Sequence, residues 1–170
     1  LDEDGGGGAL SASNLTAGQI TVDGTGADDT FTFNESVTSS NTSITLNAAD
    51  IITLSEDVLA ASDLTISNVN GDVNVGNGIS LTATSGSVTA SDNVALIDLT
   101  GTSQNTITAG TNVSLTAITD SAAVTELEVN ADDDITLSTV TLDNLATSIL
   151  DLDLDEDGGG GALSASNLTA

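Results

Sequence analysis

Between Ile20 and Leu150 the chain writes one three-residue phrase, apolar–polar–apolar, fifteen times. Ile20-Thr21-Val22, Phe31-Thr32-Phe33, Ile44-Thr45-Leu46, Leu64-Thr65-Ile66, Val113-Ser114-Leu115 and Ile135-Thr136-Leu137 are typical. In an extended chain successive side chains point to opposite faces, so each phrase buries two residues and shows one. The phrases recur about every 9 residues, separated by Gly, Asn, Asp and Ser, which tolerate tight turns. β-branched residues abound, and no long i, i+3, i+4 apolar stripe exists. The chain reads as all-β.

The size of the side chains narrows the architecture. A sandwich has longer strands and usually a large aromatic in its core. Here the phrases are short, and Phe31 and Phe33 are the two aromatic residues of the whole chain. A β-solenoid, or parallel β-helix, fits better: its coils stack like rungs, each burying a thin stripe of Val, Ile, Leu and Ala. Thr, Ser and Asn at one point of successive coils can then form hydrogen-bonded ladders. With two main strands per coil, each coil takes about 19 residues, which gives about eight short coils per 153 residues. A β-sandwich repeat is the alternative.

The figure of 153 comes from a duplication. Residues 1–17 read LDEDGGGGALSASNLTA, and residues 154–170 read the same seventeen letters. Self-similarity at a fixed offset marks a repeat architecture. Residues 1–17 are thus expected to start one tandem repeat, with 18–170 holding the remainder of that repeat and the first 17 residues of the next. In a continuous solenoid the two copies are expected at equivalent places, with superimposable backbones related by translation and a small rotation.

Composition excludes most chemistry. The 170 residues hold no Lys, Arg, His or Cys and 26 acidic side chains, a net charge of −26. Without cations there is no side-chain salt bridge, no phosphate clamp and no counterion-releasing contact to nucleic acid. Without His and Cys there is no thiolate or imidazole zinc site, disulfide or nucleophile–imidazole pair. No apolar run reaches the roughly 18 residues of a membrane span, and no basic region marks a signal peptide. High charge with few aromatics is a signature of disorder, but mean hydropathy is slightly positive and the apolar residues are regularly patterned. An enzyme, nucleic-acid binding and membrane insertion are not expected.

The stretch ISLTATSGSVTASDNVALIDLTGTSQNTITAGTNVSLTA, residues 79–117, resembles the coils of filamentous-haemagglutinin-type β-solenoids. VDGTGADDTFTFN, residues 22–34, resembles a phrase common in very large repetitive bacterial surface proteins. The resemblance covers about a third of the repeat. It implies a right-handed β-helix in an extracellular adhesin or filament. The chain departs from that family in having no Lys or Arg and in copying a segment without a single change, which favours a stalk or fibre over an adhesive tip.

Three patterns could carry a ligand. In ILDLDLDEDGGGG, residues 149–161, Leu150, Leu152 and Leu154 alternate with Asp151, Asp153 and Asp155, so one strand face is apolar and the other carboxylate. From Asp153 the string D-L-D-E-D-G matches the first half of a calcium loop, with Asp153, Asp155 and Asp157 as ligands and Gly158 at the turn; Ser164 stands where a bidentate Glu is wanted. Calcium is the one cofactor suggested, against a solvated strand end with a Gly turn. The acidic groups Asp28-Asp29, Glu56-Asp57 and Asp132-Asp133-Asp134 fall at expected corners and repel one another unless solvated or screened. The Thr-x-Thr pairs Thr30/Thr32, Thr82/Thr84, Thr106/Thr108 and Thr139/Thr141 share no common spacing, so they read as ordinary strand surface, not an ice-binding ladder. The sequons at Asn14, Asn34, Asn41 and Asn112 are expected by chance in so Asn-, Ser- and Thr-rich a chain.

The functional expectation is structural: a tandem-repeat segment of a large extracellular or cell-surface fibre, sheath or adhesin stalk. Its partners are neighbouring repeats of the same chain and other copies of the fibre. A calcium-dependent or ice-binding solenoid module of a secreted adhesin is the alternative.

Overall fold

The computed structural model describes residues 2–3, 7–24, 29–48, 50–68, 73–92, 97–120, 122–142, 147–154 and 161–170. Among them every regular element is a strand, and every pairing between strands is parallel. The chain winds around three faces in turn. The first coil is β1 (Asp2–Glu3), β2 (Ala9–Ala12) and β3 (Leu15–Ala17); the second is β4 (Ile20–Gly24), β5 (Thr30–Phe33) and β6 (Val37–Ser39). The third is β7 (Ile44–Ala48), β8 (Ile51–Leu54) and β9 (Val58–Ala60); the fourth is β10 (Leu64–Asn68), β11 (Val73–Val75) and β12 (Ser80–Ala83). The fifth is β13 (Val88–Asp92), β14 (Ile97–Leu99) and β15 (Asn105–Ala109). From there the first two faces run together as one strand: β16 (Val113–Asp120) with β17 (Glu126–Ala131), then β18 (Ile135–Thr141) with β19 (Ile149–Leu154), and last β20 (Leu163–Thr169). Because β16, β18 and β20 cross both faces, faces one and two form a single 13-stranded sheet, and face three is a 7-stranded sheet.

The fold is the expected β-solenoid, with a different coil. On face one Ile20, Ile44, Leu64, Val88, Val113, Ile135 and Leu163 stand in one column. Hydrogen bonds that join one coil to the next along this face span from |i−j| = 20 to |i−j| = 28, with 24 the common value. A coil is therefore longer than expected and has three faces, not two. The 153-residue offset spans between six and seven coils instead of eight. The undercount came from face three, whose strands are as short as Val37-Thr38-Ser39 and Val58-Leu59-Ala60. There the second inward residue is Ser or Ala, so the apolar–polar–apolar rule passes over both.

The core is a set of stacked columns. Phe31 lies between Leu10 and Ile52, and Phe33 between Ala12 and Leu54. Both rings are buried. Polar residues close the corners. Just before each face-one strand, Asp63 accepts a hydrogen bond from the Ser87 N–H (3.0 Å), Asn112 from the Asp134 N–H (3.0 Å) and Asp134 from the Ala162 N–H (2.9 Å). Each acceptor sits one coil below its donor and satisfies a backbone group that no strand partner reaches. The corners also bring backbones into contact: a Cβ on Gly110 would press on the Thr84 carbonyl oxygen, and one on Gly101 on the Asn77 Cα.

The two identical segments do not occupy equivalent places. In the first copy Leu10 lies on face two beside Phe31, and Asn14, at φ 54°, turns the corner onto face three. Asn is among the few residues that adopt this left-handed conformation readily. In the second copy Leu163 lies on face one beside Ile135, and Asn167, the counterpart of Asn14, sits inside β20 beside Thr139. One sequence thus turns a corner at one end and crosses two faces straight at the other. The expected translation with superimposable backbones is overturned.

Candidate functional site

The acidic strand β19 has the predicted alternation. Leu150, Leu152 and Leu154 pack against the core while Asp151 and Asp153 are exposed. Asp151 lies beside Glu128, and Asp153 beside Asn130, whose own neighbour on the coil below is Thr108. Like charges side by side on a sheet are unfavourable. The Glu128 carboxylate meets this by accepting from the Gln104 side-chain amide (2.7 Å) and the Asn130 side-chain amide (2.9 Å). The Asn130 Oδ1 is buried and without a hydrogen-bond partner, next to a groove of about 320 Å³ that Glu128, Asn130, Asp132 and Asp153 help to line. Of the proposed calcium ligands, Asp153 is thus exposed on the outer side of face three, whereas Asp155 and Asp157 lie outside the described residues. Among the described residues no three acidic side chains are grouped closely enough to hold a metal ion.

The acidic corners turn out to serve the backbone. Asp29 is buried and accepts from the Gly8 N–H (2.8 Å), and Asp57 accepts from the exposed Ser80 N–H (2.8 Å). In a chain without cations, carboxylates accept from neutral donors, here the backbone N–H groups of the adjoining coil. Asp28 lies outside the described residues. The separation of these contacts, 21 to 28 residues, is the coil length itself.

The Thr-x-Thr pairs are divided between face two (Thr30/Thr32 and Thr139/Thr141) and face three (Thr82 and Thr106/Thr108), as their irregular spacing foretold. A hydroxyl ladder does exist on face one. Thr21, Thr45, Thr65, Thr89, Ser114, Thr136 and Ser164 stand in one outward column over seven coils. Beside it runs a second column, Asp23, Asn47 and Ser67, in which the Asn47 side-chain amide donates to Asp23 (2.7 Å) and the Ser67 hydroxyl to Asn47 (3.0 Å). The signal was Thr-x-[Asp/Asn/Ser] at the spacing of a coil, which a search for Thr-x-Thr misses.

Among the described residues both ends of the solenoid are open. Each end coil pairs on one side alone, and β20 is exposed along its whole length. Leu163 and Leu168 continue the inward columns of Ile135 and Val140 yet are 50% and 43% exposed. No family model matches the chain, and no curated protein or solved structure matches it.

Proposed function

We propose that the chain is a stiff structural segment of an extracellular or cell-surface fibre, sheath or adhesin stalk, built from tandem copies of one 153-residue repeat. The observation that carries this reading is the parallel stacking of all three faces from coil to coil among the described residues. A solenoid transmits load along its axis through the ladders and the core columns, and each coil adds a fixed step of about 4.8 Å. The anionic surface holds neighbouring rods apart and in solution. No catalytic role belongs to this reading. The test is immunogold labelling of intact cells of the source organism, with antibody raised against the 170-residue chain. Gold along surface filaments is the expected result, and gold confined to the cell interior overturns the reading.

The face-one hydroxyl ladder supports a second reading, an ice-binding module. Evenly spaced hydroxyls on stacked strands can order a layer of water. Thermal hysteresis and ice-crystal shaping by the purified chain, lost in Thr45→Lys and Thr65→Lys, is the expected behaviour of such a module. Unmodified ice growth eliminates it.

A further inference from the structure

We infer that successive copies of the 153-residue repeat continue one solenoid, each seated with an offset of one third of a turn from the copy before it. This rests on the tandem-fibre reading and adds a geometry to it.

The offset follows from the pairing columns. On face two the column that begins at Leu10 passes through Phe31, Ile52, Val73, Ile97, Ile118 and Val140 to Leu168. Leu168 is therefore seven coils above Leu10. Leu163, the true counterpart of Leu10, lies one face earlier. Leu168 is likewise the counterpart of Leu15 and stands one face before face three, where Leu15 lies. Both pairs give six and two-thirds coils per repeat. A fractional number is tolerated because the faces share one grammar: Leu10 and Ala12 fit beside Phe31 and Phe33, and Leu163 and Ala165 fit beside Ile135 and Leu137. The one part that must change is the corner, and Asn14 and Asn167 show the same residue accepting both forms.

The first copy also shows what covers the second. Leu10, Ala12 and Leu15 are covered by Phe31, Phe33 and Val37, residues that follow them in the same repeat. The exposed Leu163, Ala165 and Leu168 are the same three positions. Their cover is the Phe, Phe and Val of the repeat that follows, carried one face round. At about 4.8 Å per coil, one repeat advances about 32 Å, and three repeats close on twenty whole coils in about 96 Å. Any surface pattern then returns to a given face once in three repeats and is displayed on all three sides of the rod.

The absence of cysteine makes the test clean. In the observed seat Ser164 neighbours Thr136. In an unrotated seat it takes the place of Ser11, whose outward column on face two reaches Thr141. Adjacent strands lie within disulfide reach. Three double variants are oxidised in the 170-residue chain and again in the chain lengthened by one repeat: Thr136→Cys/Ser164→Cys, Thr141→Cys/Ser164→Cys and, as a control inside the solenoid, Thr45→Cys/Thr65→Cys. Closure of the first and third, with the second left open, is expected in both chains. Closure of the second, or of the control alone, overturns the rotated seat; failure of the control removes the solenoid and the seat with it. Electron microscopy of a nine-repeat chain reads the same geometry: an axial period of about 96 Å is expected, and one of about 32 Å overturns the rotation. These outcomes are independent of where the protein resides, so a rotated rod inside the cell would refute the extracellular fibre and leave the seat standing.

Discussion

At the residue scale the close passage of one coil over the next sets the severest constraint. Gly110 sits with its α-carbon against the Thr84 carbonyl of the coil below, where a methyl group meets backbone that has nowhere to go. Gly110→Ala is expected to destabilise the chain by about 1–3 kcal/mol, the usual cost of overpacking. Gly18→Ala is its control: the added Cβ meets only the tip of the Asn41 side chain, at 3.3 Å. Urea titrations of the two should give a clear loss for the first and almost none for the second. Phe31→Ala, by contrast, removes one of the largest buried side chains and is expected to cost about 3–5 kcal/mol. The tight spots were invisible beforehand, since nothing in the string of letters distinguishes a Gly that turns from a Gly that yields room to another backbone.

At the element scale, the strands hold their register through the columns, and the corners hold theirs through side-chain acceptors. Asp134 accepts from the Ala162 N–H and so fastens the last corner to the coil beneath. Asp134→Ala should lose about 1 kcal/mol, and Asp134→Asn should keep most of it because the amide oxygen still accepts. Faster hydrogen exchange at Ala162 in the Ala variant alone would confirm the contact; equal exchange in both would refute it. The strands themselves were legible, because Ile20-Thr21-Val22 or Ile135-Thr136-Leu137 alternates whatever surrounds it. Face three was less so: Val58-Leu59-Ala60 points its large Leu59 outward, 41% exposed, and its small Ala60 inward. The alternation of Asp151 and Asp153 with Leu150, Leu152 and Leu154 was read correctly. The hydroxyl ladder of face one escaped because the coils differ in length, so that Thr45 to Thr65 is a shorter step than Thr136 to Ser164.

At the scale of the whole molecule, 26 negative charges without a single cation strain the rod. Raising sodium chloride from about 10 mM to about 150 mM shortens the screening length from about 30 Å to about 8 Å, so the melting temperature should rise with salt. If Asp153, Asp155 and Asp157 bind calcium in the weak 10⁻⁴–10⁻³ M range of extracellular modules, millimolar calcium should add to that rise at matched ionic strength. Asp153→Asn/Asp155→Asn should abolish the added part; a rise equal to that with sodium, unchanged in the variant, removes calcium from the account. The coil itself has a mechanical consequence. One coil advances the axis by about 4.8 Å, yet its residues pulled straight span about 80 Å. Under tension at one end, each coil that peels away lengthens the tether roughly sixteenfold over what it contributed to the rod, and a force trace should climb in steps near that length. A solenoid wound this way is a spool, able to absorb a sudden pull by paying out chain.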